Sequence, residues 1–313
     1  MRPSKIEMLD INSEITQKIL NLKKQRNAVI LSHNYQLGEV QDIADFVGDS
    51  LELSQNAART GADVIVFCGV HFMAETASIL CPDKVVLLPD MGAGCPMANM
   101  ITAPQLIERK KEIPGVKVVC YVNSTAEVKA ESDVCCTSAN AVKVVQSLGA
   151  ATILFVPDQY LGSYIASKTN QKMLFWPGYC PTHARIRPDD ILRAKAEYPL
   201  AKVMVHPECR PETAALADEI LSTGGMLRFA RSTPAREIIV GTEIGLIYRL
   251  RKENPAKKFI PASEQAVCPR MKLITLEKIL WSLEAMAPEV KVPEPVRIKA
   301  KRAVDRMLEI SMS

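Results

Sequence analysis

The chain has 313 residues, 48% hydrophobic and 24% charged, with a net charge of only +4. Those proportions describe a globular protein with ample core; with no basic stripe, nucleic acid is not an implied partner. No apolar run reaches the ~20 residues of a membrane span, and the opening segment has no signal-peptide core, so a cytoplasmic protein with no membrane partner is expected.

In chain order, MRPSKIEMLDINSEITQKILNLKKQ reads as a polar amphipathic helix. AVILSHNYQ then reads as a buried strand ending at His33 and Tyr35, DVIVFCG as a second strand followed by a helical pattern, and KVVLLPDMGAGCP as a third strand leading to Cys95. The same text recurs as VVCYVNST, TILFVPD and KMLFWPGYCP, and again as VMVHPECR, EIIVGTE and KKFIPASEQAVCP. ITLEKILWSLEAMA and PEPVRIKAKRAVDRMLEI close the chain as helices, joined by the extended, proline-rich PEVKVPEPV.

The recurrence has a fixed phase. Cys95, Cys180 and Cys268, each followed by proline, are separated by 85 and 88 residues. His33, Tyr121 and His206 hold one equivalent position, and Tyr35, Asn123 and Glu208 the next but one. Ser50, Ser138 and Thr223 each follow 17 residues after the first of these. A fourth Cys-Pro, at Cys81, ends a helical segment and breaks the pattern.

Continuous Val/Ile/Leu/Phe runs mark parallel strands buried on both faces, with helices as crossovers. Each repeat therefore reads strand, helix, strand, helix, strand, Cys-Pro loop. The expected fold is α/β: three pseudo-threefold-related α/β/α domains with short parallel sheets around a central cavity. The units are 1–101 plus 270–313, 102–185, and 186–269.

Ligands gather at the carboxyl ends of parallel strands, where the paired polar residues fall. The three hydroxyls at equal phase serve either as helix N-caps or as anion donors beside helix N-termini. His183, three residues after Cys180, would lie near a metal centre there as a supporting group; His71 reads as a helix-capping or packing residue. Glu208 and Tyr35 are acid/base candidates.

Nine cysteines, an odd number in a chain without secretory features, argue against a disulfide framework. One phased cysteine per repeat, with no fourth partner, points to a [4Fe-4S] cluster with an open iron. Soft thiolates also suit zinc, although a closed structural zinc site needs four ligands, usually in close pairs. Three readings remain from the residues: a cluster enzyme, another cluster-dependent hydro-lyase, and a non-catalytic anion-binding protein.

SHNYQ (32–36), GDS (48–50), GCPMA (94–98), YVNS (121–124), CTSAN (136–140), WPGYCPTH (176–183), HPEC (206–209) and VCPRM (267–271) together resemble the quinolinate synthase family. The resemblance runs from about residue 28 to the helix after Met271. It implies a triangular molecule whose [4Fe-4S] cluster, one per chain, hangs on Cys95, Cys180 and Cys268. It implies condensation of iminosuccinate with dihydroxyacetone phosphate to quinolinate, phosphate and water, for NAD biosynthesis, with the open iron as Lewis acid. An aspartate oxidase or dehydrogenase would supply the iminosuccinate. His33, Ser50, Tyr121, Val122, Asn123, Ser138, His206, Pro207, Glu208 and Thr223 would contact substrate. Tyr35 and Glu208 would move protons, assisted by His33, His206 and Tyr121.

Overall fold

The computed structural model describes residues 5–149 and 152–312. A long helix, α1 (Lys5–Gln25), leads into the first repeat. That repeat comprises β1 (Ala28–His33), α2 (Gly38–Ile43), β2 (Phe46–Gly48), α3 (Ser50–Arg59), β3 (Val64–Cys68), α4 (His71–Leu80) and β4 (Val85–Leu87). The second comprises α5 (Ala103–Lys111), β5 (Lys117–Tyr121), α6 (Ala126–Ala130), β6 (Val134–Cys136), α7 (Ala141–Ser147), β7 (Ile153–Val156), α8 (Gln159–Lys168) and β8 (Met173–Phe175). After the short α9 (Pro181–Ala184), the third runs α10 (Pro188–Glu197), β9 (Lys202–Val205), α11 (Pro211–Ala214), β10 (Glu219–Ile220), α12 (Thr223–Ser232), β11 (Glu237–Gly241), α13 (Gly245–Glu253) and β12 (Lys258–Pro261). Helices α14 (Leu276–Ala285) and α15 (Glu294–Met312) follow.

Three separate four-stranded parallel sheets result, ordered β2-β1-β3-β4, β6-β5-β7-β8 and β10-β9-β11-β12. The α/β class is as expected, but each sheet has four strands rather than three. The additional member is the edge strand β2, β6 or β10, two or three residues long. A segment that short carries no periodicity of its own; its partner's register holds it in place.

The central strands are buried along their length because both faces are covered by helices. A repeated electrostatic device fixes the edge strands. Asp45, Asp133 and Asp218 each stand just before one and accept the backbone N–H of Ile30, Val118 and Val203 at 2.8 Å. Each also pairs with a lysine: Lys23 at 2.7 Å, Lys117 at 2.8 Å and Lys202 at 2.8 Å. The apolar interior divides into a main cluster spanning the first two repeats and part of the third, and a smaller one around Ile186, Val203, Val205 and Ile239 in the third repeat.

The proline-rich connector adds to the edge of the first sheet, where Val290 N–H donates to the Val86 carbonyl at 2.8 Å. The terminal helices, expected with the first repeat, divide. Helix α14 packs on α1, whereas α15 lies across α6, β6 and α7 of the second repeat and α4 of the first. Its buried stripe, Ala300, Ala303, Val304 and Met307, is legible as an amphipathic face, but a stripe does not name the surface it meets. No helix among the described residues is long and apolar enough to cross a membrane.

Candidate active site

One cavity opens where the strand ends of the three sheets face each other. Its walls bring together His33, Tyr35 and Ser50 from the first repeat, Tyr121, Asn123 and Ser138 from the second, and His206, Glu208 and Thr223 from the third. Cys95, Cys180 and Cys268 border the same space. They are partly exposed, whereas the other six cysteines are buried. Val122 and Pro207 are buried beside wall residues but do not border this cavity; Val122 lines a small adjoining one with Ser50 and Phe72.

The phased hydroxyls are not the helix caps. Asp49 caps α3, accepting from Leu51 and Glu52 N–H at 3.0 Å, and Ser222 caps α12, accepting from Gly225 N–H at 3.2 Å. Ser50 and Thr223 are thus the first helical residues, at the positive ends of two helix dipoles. The two ends abut: a Cβ on Gly224 would lie 2.7 Å from Asp49 Oδ2. Thr223 Oγ1 accepts from Asn34 Nδ2 at 2.9 Å. Ser138 precedes α7, with its hydroxyl 3.2 Å from His206 Nε2.

His33 and His206 use the same local turn. The backbone N–H two residues on, of Tyr35 or Glu208, points at Nδ1 from 3.2 or 3.3 Å. Nδ1 therefore accepts, and the proton of the neutral ring sits on Nε2. Burial, modulated by neighbouring charged groups, pushes both imidazoles down to about 3, so both are neutral donors near pH 7.

Glu208 is buried and accepts from Tyr121 OH. Its Oε2 is 2.7 Å from His183 Nδ1. Burial works against its charge, but the His183 and His206 imidazoles and the bonds from His183 and Tyr121 outweigh it, holding the carboxyl below its usual range. Burial, reinforced by Glu208, raises the Tyr35 and Tyr121 hydroxyls well above the usual phenol range, so both keep their protons.

Sequence reasoning missed the group joining Tyr35 to Glu208. His183 Nδ1 lies 2.7 Å from the Glu208 carboxylate and 3.1 Å from Cys180 Sγ. Thr242 Oγ1 lies 2.8 Å from His183 Nε2, and Tyr35 OH lies 2.6 Å from Thr242 Oγ1. Tyr35, Thr242, His183 and Glu208 thus form one continuous polar chain. Three further cavity or loop carboxylates were also missed: Asp49, Asp158 and Glu243. Asp158 and Glu243 had a signal, since TILFVPD and EIIVGTE end in acids at equal phase. His71, the first residue of α4, lies 3.8 Å from Glu75, as a helix-packing residue would.

The donor set suits a soft metal centre. Cys180, His183 and Glu208 bring one ligand atom each to within 4.8 Å of one another. Burial raises all three cavity thiols, Cys95 to about 12, so they become thiolates only against a strong positive charge. Cys95 lies within electrostatic reach of both Cys180 and Cys268.

Comparison with known proteins agrees with this geometry. A family model described as quinolinate synthetase A protein matches residues 17–309. A quinolinate synthase of Dehalococcoides mccartyi (strain CBDB1) is 65% identical over 296 residues, covering 95% of this chain and 98% of its own. That of Geotalea uraniireducens is 60% identical, covering 95% and 98%, and that of Methanosarcina barkeri 55%, covering 96% and 99%. Matched over nearly its whole length by model and relatives alike, the chain belongs to the quinolinate synthetase A family, which forms quinolinate in NAD biosynthesis.

Proposed function

We propose that the protein condenses iminosuccinate with dihydroxyacetone phosphate to quinolinate, phosphate and water, with Cys95, Cys180 and Cys268 holding a [4Fe-4S] cluster. The observation carrying this reading is that the three phased cysteines, one per repeat, are the partly exposed ones and face a single cavity. Three thiolates leave one iron without a protein ligand. When bound, the cluster supplies a Lewis acid for an oxygen of the substrate or intermediate.

The chain's own groups do the rest. Neutral His33 and His206, with Nε2–H toward the cavity, and the hydroxyls of Ser50, Ser138 and Thr223 donate to carboxylate and phosphate oxygens. The N-termini of α3 and α12 add to the anion field. Asn123 Nδ2, 3.4 Å from Glu208 Oε1, orients substrate beside the base. Ionised Glu208 removes protons from carbon, and protonated Tyr35 and Tyr121 return them to oxygen. The Thr242–His183 bridge links Tyr35 to Glu208. A cytoplasmic site and an aspartate oxidase or dehydrogenase as source of iminosuccinate complete the proposal.

The Cys180–His183–Glu208 group favours a second reading, a single zinc ion in an anion-binding protein. Iron and acid-labile sulfide are measured on anaerobically reconstituted protein, with Cys95, Cys180 and Cys268 each changed to alanine and Cys81→Ala as control. About four of each per chain, lost in the three variants and kept in the control, supports the cluster. Zinc instead, indifferent to Cys95 and Cys268, supports the alternative. Quinolinate formation from the two substrates then tests the reaction.

A further inference from the structure

Glu243 is fully buried and takes no part in the proton chain described above. It lies two residues past β11, and its carboxylate is surrounded by donors. Oε1 accepts the backbone N–H of Cys268 at 3.0 Å, and Oε2 that of Gly245 at 2.7 Å. Lys272 Nζ, 3.0 Å from Oε1, neutralises it and also donates to the Tyr35 carbonyl. The packing leaves no slack, for a Cβ on Gly245 would lie 2.5 Å from the Tyr35 carbonyl oxygen, 2.6 Å from Lys272 Nζ and 2.8 Å from Glu243 Oε2. A buried carboxylate with this many partners is costly to disturb. The bonds tie the Cys268 loop to the loop after β11 and to the backbone of Tyr35, two chain segments from different repeats.

We infer that Glu243, clamped by Lys272, is a positioning residue for Cys268: it fixes that ligand loop, and with it the distance between the ligand and the Tyr35 turn. The inference rests on the reading of Cys268 as a cluster ligand. The second repeat carries a weaker form, with the buried carboxylate of Asp158 two residues past β7 and against the Cys180 backbone N–H. The first repeat has apolar Val70 in that place and no such anchor for Cys95.

The test is the rate of iron release to a chelator from reconstituted protein, followed by loss of visible absorption. Parent, Glu243→Ala, Glu243→Gln, Gly245→Ala and Cys268→Ala proteins are compared, with circular dichroism of each apo-protein to verify folding. Disturbing groups that orient ligands costs about 10–100-fold in metal retention, and an acceleration of that size is expected for Glu243→Ala. Gly245→Ala, whose methyl would press on the Tyr35 carbonyl, Lys272 and Glu243 together, gives the same direction if the first variant fails to fold. Glu243→Gln, which keeps an acceptor for the Cys268 N–H, restores most of the retention, as a merely structural role would not require. Parent-like release in Glu243→Ala and Gly245→Ala, beside a Cys268→Ala protein that holds no cluster, overturns the positioning role alone. A parent that takes up no iron and sulfide overturns the cluster reading and this inference together.

Discussion

The loops carrying Cys95 and Cys268 occupy equivalent places in the first and third repeats, yet they are held differently. Cys268 has its main-chain N–H on a buried carboxylate, whereas the strand end facing Cys95 offers Val70. The contrast extends along the strand ends. Tyr35, Asn123 and Glu208 share one position, so the same turn presents an acid, an amide and a base. Duplication supplied a threefold frame, and chemistry came from making its three corners unlike.

The sharpest way to break that comparison is to erase the difference at one corner. Glu208→Gln keeps the size and removes the base. Turnover should fall about 10²–10⁴-fold, the usual worth of a positioned acid or base, while iron content stays at the parent level. A Glu208→Gln protein with parent-like turnover would sink the assignment. Tyr35→Phe removes the proton donor and the first bond of the chain to Glu208. Tyr121 remains as a second acid, so a loss of about 10²-fold is expected. The discriminating measurement is single-turnover kinetics at fixed cluster content.

A third contrast lies in the helix caps, titratable Asp49 in the first repeat against neutral Ser222 in the third. Burial, with Glu52 nearby, raises the Asp49 carboxyl from 3.8 to about 6. The folded state binds this proton more tightly than the unfolded one, so the contribution is full below pH 3.8 and declines as pH rises through 6. The decline is worth about 3 kcal/mol. Asp49→Asn keeps the cap acceptor without the titration, so urea unfolding of its apo-protein should lack that part of the slope. An unchanged slope would show that the carboxylate is solvated as an ordinary surface acid.

The smallest effect sharpens the symmetry itself. Asp45→Ala, Asp133→Ala and Asp218→Ala each remove one main-chain bond and one partly exposed ion pair. Each should cost about 1 kcal/mol in urea unfolding. Three similar losses support equivalent repeats; one loss standing far apart would mark a corner that has left the common frame.

Much of this was visible in the sequence. Continuous apolar runs gave parallel strands, and equal phasing gathered His33, Tyr121 and His206 with Cys95, Cys180 and Cys268 in one cavity. What stayed hidden depended on neighbours brought in from elsewhere. Thr242 is one hydroxyl among many until it meets His183 and Tyr35. Glu243 becomes an anchor only when the Cys268 loop folds onto it. Ser50 and Thr223 were open to either capping or anion binding, because capping chemistry is local; the residue before each performs the capping. The edge strands β2, β6 and β10 were too short for a pattern, and the register of their partners creates them.

The packing of α15 has a consequence for how the chain is made. Its 19 residues cover α6 and β6, and Ser311 Oγ accepts from Asn140 Nδ2 at 2.7 Å. The middle third of the polypeptide therefore leaves the ribosome long before its cover exists. Its edge strand and a five-residue helix stay open until α15 is made, the interval in which nascent chains meet chaperones or one another. Contacts this distant in sequence also slow folding. A stop codon just before Glu294 would leave every cavity residue in place and still deny the second repeat its surface.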